Sequence, residues 1–220
     1  MKTFLARFVT VEFVAALVGT GALVVMIGWI FKTESLTRLF LPGQQNMKFV
    51  TAFLFLVSAL GLYLISRAMR GNEDLPQVIL PGVMLTVFVI TISLYAGRLL
   101  NAPTGIEQLF VRMENPVDLS AALSTYGWPS LLSVFNFILF GFAGAISLFP
   151  DARSRRWLRY IGSLISAVGA VAVAGYVFRL PVLYYATLGS PPIPMALVSA
   201  LAFVLLGLGL VMAGREPDAR

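Results

Sequence analysis

The chain has 220 residues, 59% apolar and only 12% charged, with a mean hydropathy of +0.89 and a net charge of +6. Globular domains carry roughly 25% charged residues, so the sequence lacks the polar surface that a water-soluble fold needs. It contains no cysteine and no histidine, which removes disulfides, thiolate nucleophiles, most zinc and haem ligation and the commonest proton shuttle.

A bilayer core is crossed by about 20 mostly apolar residues, and six runs approach that pattern: 8–31, 49–65, 78–100, 131–149, 161–178 and 195–213. The first follows Lys2 and Arg7 but exceeds a signal-peptide core, and no small-residue cleavage motif closes it, so a retained helix is expected. Turn and charge signals separate the rest: Pro42-Gly43, Arg70-Gly71-Asn72-Glu73-Asp74, Asp151 to Arg156, and Gly189-Ser190-Pro191-Pro192. Pro81 is expected in the first turns of the third helix, where its missing donor costs least. In the long connection after the third run, Ile106, Leu109, Phe110 and Met113 recur at i, i+3, i+4 and i+7. That spacing predicts a short amphipathic helix, lying on the bilayer or capping the bundle. The expected fold class is all-α integral membrane, one domain over residues 1–220 with six transmembrane helices.

Lysine and arginine set the orientation. The side with both termini and the 2–3 and 4–5 loops carries ten, among them Arg153, Arg155, Arg156 and Arg159; the other side carries Lys32, Arg38, Lys48, Arg98, Arg112 and Arg179. The positive-inside rule places both termini in the cytoplasm, and the basic pI reads as topology rather than nucleic-acid binding. The expected location is the bacterial inner membrane.

An internal repeat runs through the chain. The even runs align as Val50-Thr51-Ala52-Phe53-Leu54-Phe55, Leu132-Ser133-Val134-Phe135-Asn136-Phe137 and Val198-Ser199-Ala200-Leu201-Ala202-Phe203. Each has a hydroxyl residue with phenylalanine four positions on, then small residues that let helices approach in lipid. The odd runs end as Trp29-Ile30-Phe31-Lys32, Tyr95-Ala96-Gly97-Arg98 and Tyr176-Val177-Phe178-Arg179. Three sequence-related helical hairpins are expected, the middle one with an insert of about 15 residues outside the membrane.

The stretches Leu94 to Leu99, Gly105 to Phe110 and Ser133 to Gly141, and their counterparts Gly175 to Phe178, Val182 to Tyr185 and Pro194 to Phe203, resemble repeated hairpins in the N-terminal membrane modules of bacterial sensor histidine kinases and diguanylate cyclases. The resemblance covers nearly the whole chain through mostly apolar motifs. It implies a sensory module, and no binding residues carry over from it. Members of that family continue into a cytoplasmic output domain, whereas here seven residues follow the sixth run. The resemblance therefore implies either a piece of a longer chain or a stand-alone relative acting through a partner.

No catalytic motif accompanies these helices, and the only lysines available to serve a serine as base, Lys2, Lys32 and Lys48, are terminal or interfacial. Enzymatic activity, cofactors and metal sites are not expected. Glu12 is expected as an interfacial carboxylate pairing with Arg7 or a base of the 2–3 loop, its alternative being a proton or ion site. Asn136 is expected as interhelical glue, its alternative being a ligand contact. Packed around a pseudo-threefold axis, Trp29, Tyr95 and Tyr176 with Lys32, Arg98 and Arg179 come to equivalent depths near the outer face. There they line a pocket for an amphipathic ligand such as a quinone or lipid, or, turned outward, fix helix depth as anchors. The expected function is a non-catalytic sensory or signalling module. The alternatives are an accessory or assembly subunit of a larger complex, and a small transporter or channel. Expected partners are lipids and another membrane protein or further copies of the chain.

Overall fold

The computed structural model describes residues 10–39, 45–71, 74–100, 104–106, 128–149, 151–185 and 193–215. Among them are seven α-helices and no strand, with one isolated antiparallel bridge between Tyr185 and Pro194. Six helices build the body: α1 (Val11–Ile30), α2 (Phe49–Met69), α3 (Asp74–Leu99), α4 (Leu131–Ser147), α5 (Ala152–Val177) and α6 (Leu197–Ala213). A single turn, Glu34–Thr37, folds back over the end of α1, so closely that a Cβ on Gly28 would lie 2.7 Å from Leu36 Cβ. Four helices, α1, α2, α3 and α5, are long and apolar enough to cross a membrane, which supports a membrane-embedded protein. The amphipathic segment expected near Ile106–Met113 falls, beyond Ile106, outside the described residues.

Helix starts follow local chemistry. The Thr10 hydroxyl accepts from Phe13 N–H at 3.2 Å to cap α1, and Asp151 caps α5 by accepting from Ser154 N–H at 2.6 Å. That cap starts α5 nine residues before the apolar run expected at 161, so the arginine cluster is helical. The third helix also starts earlier than expected, at Asp74, four residues before 78. Pro81 therefore lies two turns inside the helix rather than in its first turns, and removes one backbone bond there.

Consecutive helices pack side by side, α2, α4 and α6 also touch one another, and α1 closes on α6. Three helices are thus central, and each of α1, α3 and α5 lies against two of them. Burial agrees: 72% of the α2 span is buried, against 39% for α1 and 33% each for α3 and α5. The outer helices turn Phe13, Ile30, Val78, Leu85 and Val177 outward, an apolar surface suited to lipid. On the axis Phe55, Phe137 and Phe203 meet with ring centroids 4.6–5.0 Å apart, and all three are fully buried. Small residues admit the rest. A Cβ on Gly207 would lie 2.5 Å from Gly162 O, so α5 and α6 cross backbone to backbone, and the Met84 side chain fills the notch left by Gly61 and Gly144.

Candidate functional site at the helix ends

The ends of α1, α3 and α5 meet the starts of α2, α4 and α6, and one contact recurs there. Trp29 Nε1–H donates to Met47 O at 2.8 Å, Tyr176 O–H donates to Met195 O at 2.6 Å, and Arg98 Nη1–H donates to Pro129 O at 3.4 Å. The accepting carbonyl lies two residues before the helix start in each case. Between α1 and α2 and between α5 and α6 the aromatic makes the bond; between α3 and α4 the cation does. Arg98 can do so because α3 continues through Leu99, which keeps Arg98 helical and turns it inward, 8% exposed.

The candidate residues thus part company. Trp29 and Tyr176 turn towards the protein, while Tyr95 faces outward. Lys32 and Arg179 are exposed and share a left-handed backbone, with φ of 52° and 55°. Both close the same end motif: Thr33 N–H donates to Gly28 O and Leu180 N–H to Gly175 O, each at 2.8 Å. The six residues do not line one pocket. Tyr176 and Arg179 share a cleft of about 420 Å³ with Gln45, Tyr184, Tyr185 and two prolines. Within it Tyr176 stacks on Tyr184 at 4.1 Å and 8°, and Tyr185 lies 5.2 Å from Tyr184. Such a cleft offers aromatic faces, hydroxyls and one cation, the combination that grips an amphipathic or anionic ring. Tyr184 and Tyr185 were not expected from the sequence as site residues. Their signal was an aromatic pair just after Pro181, which opens the 3₁₀ turn Pro181–Leu183.

Asn136 is fully buried, and neither amide atom has a hydrogen-bond partner among the described residues; the same holds for the Ser58 and Thr91 hydroxyls. Among the described residues Asn136 does not form the interhelical bond expected of it. Its helical neighbours on the inward side, Phe137 and Phe140, are apolar and wholly buried. Glu12 pairs with Arg70, the base of the 2–3 loop. At that same end Arg155 Nη2–H donates to Met69 O at 2.7 Å, placing a cation at the α2 C-terminus. Hydrogen bonds from Ser154 hold the Asp151 carboxyl below its usual range, and burial pushes the Lys48 ammonium below its own.

Compared with family models, curated proteins and solved structures, the chain finds no match.

Proposed function

We propose that the chain is a non-catalytic sensory module of a bacterial inner membrane, with six transmembrane helices in three like hairpins and both termini cytoplasmic. It binds a small amphipathic ligand near the outer helix ends and signals through a partner protein. The observation that carries the hairpin reading is positional. Phe55, Phe137 and Phe203 occupy one place in the aligned repeat and meet on the axis. Eight residues before each, Met47, Pro129 and Met195 offer the carbonyl held from the preceding helix. Unrelated helices have no reason to match at both levels.

With 17 residues each, α4 and α6 rise only about 25 Å, short of a full crossing. The segments before them extend the span. Trp128, Pro129 and Ser130 are buried, as are Met195 and Ala196, and the carbonyls of Pro129 and Met195 are satisfied. Non-helical backbone is tolerated at membrane depth under those conditions. Binding is supported by the tyrosine-lined cleft, whose volume falls in the usual range for small ligands. A partner is supported by the sensor-module resemblance and by a sequence without histidine or cysteine.

The test is to extract the chain from its native membrane inside its own lipid, without detergent. Co-retention of a polypeptide with a cytoplasmic output domain is the expected result. Recovery of the chain with lipid alone contradicts a partner, and retention in a large assembly favours an accessory subunit.

A further inference from the structure

The three central helices begin around one point. A chamber of about 20 Å³ between their first turns is lined by Lys48, Thr51, Ser130, Ser133, Ala196 and Ser199, among others, and by no carboxylate. It has room for one water-sized group. Thr51, Ser133 and Ser199 each stand at the third position of their helix, the hydroxyl place of the aligned repeat.

Only α4 is capped by a side chain, with Ser130 Oγ accepting from Ser133 N–H at 3.1 Å. The corresponding residues of α2 and α6, Lys48 and Ala196, give no side-chain cap. Their first turns are nevertheless buried, Val50 and Val198 at 4% and 5% exposure. A buried helix start leaves N–H groups in need of an acceptor, and three starts together bring three positive dipole ends to one place. A second, independent feature points the same way. The Thr51 and Ser199 side chains line the chamber, are 3% exposed, and make no hydrogen bond among the described residues.

Lys48 adds positive charge at the same spot. Every one of these features favours a guest that accepts hydrogen bonds and carries negative charge, which a water does only in part. We infer that the chamber is a site for one halide-sized anion on the axis of the bundle, with Lys48 as counter-charge and the Thr51 and Ser199 hydroxyls as donors. The chamber adjoins the tyrosine cleft, and Gln45 and Pro194 line both, but Lys48, Thr51 and Ser199 do not line the cleft, so failure to find a cleft ligand leaves the anion site intact.

Purified full-length protein in lipid nanodiscs tests this directly. Sodium chloride is exchanged for sodium gluconate at constant ionic strength while thermal unfolding and the chlorine NMR line width are followed. Chloride is expected to raise the unfolding temperature saturably, gluconate is expected to do nothing, and bromide should displace the broadened chloride signal. The double variant Thr51→Val with Ser199→Ala is expected to keep its unfolding temperature in gluconate and bind chloride more weakly by roughly a hundredfold or more, the loss expected of two hydrogen bonds to a charged group. Equal stability in both salts, or an unchanged chloride response in the double variant, means that water alone fills the chamber and overturns the site. Should that variant fail to fold, the line width of the unaltered protein decides: no displaceable broadening overturns the proposal.

Discussion

Lys32 and Arg179 hold the left-handed turn that ends α1 and α5, a place where glycine is the unstrained choice and other residues cost about 1 kcal/mol or more. Substituting either by glycine is expected to stabilise the protein by roughly 1 kcal/mol, read from reversible unfolding in bicelles. A loss of stability instead would mean that the cation's interactions outweigh the backbone strain. Asp151 makes a different prediction. Its carboxyl is depressed below 3.8 by Ser154, so its capping contribution is present above that pH and is lost as pH falls through the depressed value. Hydrogen exchange at the first amides of α5 should accelerate on acidification in that window, and Asp151→Ala should remove the pH dependence. At this scale the sequence was half legible. Composition and spacing pointed to Trp29 and Tyr176, but whether a side chain turns inward depends on where its helix ends. Arg98 and Tyr95 exchange roles because α3 continues past them, and nothing in the local spelling Tyr-Ala-Gly-Arg announces that.

Among the elements, all six long helices fall where the apolar runs lie, because hydropathy reads the part of a helix that meets hydrocarbon. What it misses is the polar extension. The start of α5 at Ala152, with Arg153, Arg155 and Arg156, and the last turn of α2, which holds Ser66 and Arg67, are helical beyond the apolar runs; for α5 the Asp151 cap was the available signal. The phenylalanine cluster joins three elements, so Phe55→Ala, Phe137→Ala and Phe203→Ala are each expected to cost about 3–5 kcal/mol. Combined in pairs, their costs should fall short of the sum, because each ring packs on the other two and its removal already weakens their hold. Strict additivity in a double-mutant cycle would show that the rings do not act as one cluster. The α5–α6 crossing is the other sensitive place. Gly207→Ala puts a Cβ 2.5 Å from backbone atoms of α5 and is expected to destabilise by about 1–3 kcal/mol. Gly82→Ala, with nothing within 4 Å of the new Cβ, serves as the control and should be neutral or better.

For the whole molecule, the arrangement of three central and three outer helices accounts for a feature that hydropathy alone leaves odd. The short α4 and α6 sit inside, each preceded by buried backbone, while the exposed apolar faces belong mostly to the longer helices outside. The like spacing of hydroxyl and phenylalanine in α2, α4 and α6 is visible in the sequence, but the meeting of Phe55, Phe137 and Phe203 on one axis joins segments up to about 150 residues apart in the chain, which no local pattern encodes. The central claim is that the chain crosses the membrane six times, with the starts of α2, α4 and α6 outside and both termini inside. Because the sequence has no cysteine, single cysteines introduced at exposed Arg153 and exposed Val182 can be labelled in intact cells with a membrane-impermeant maleimide. Rapid labelling is expected at Val182→Cys, and labelling at Arg153→Cys only after the membrane is opened. Labelling of both positions, or of Arg153→Cys alone, in sealed cells would contradict this topology.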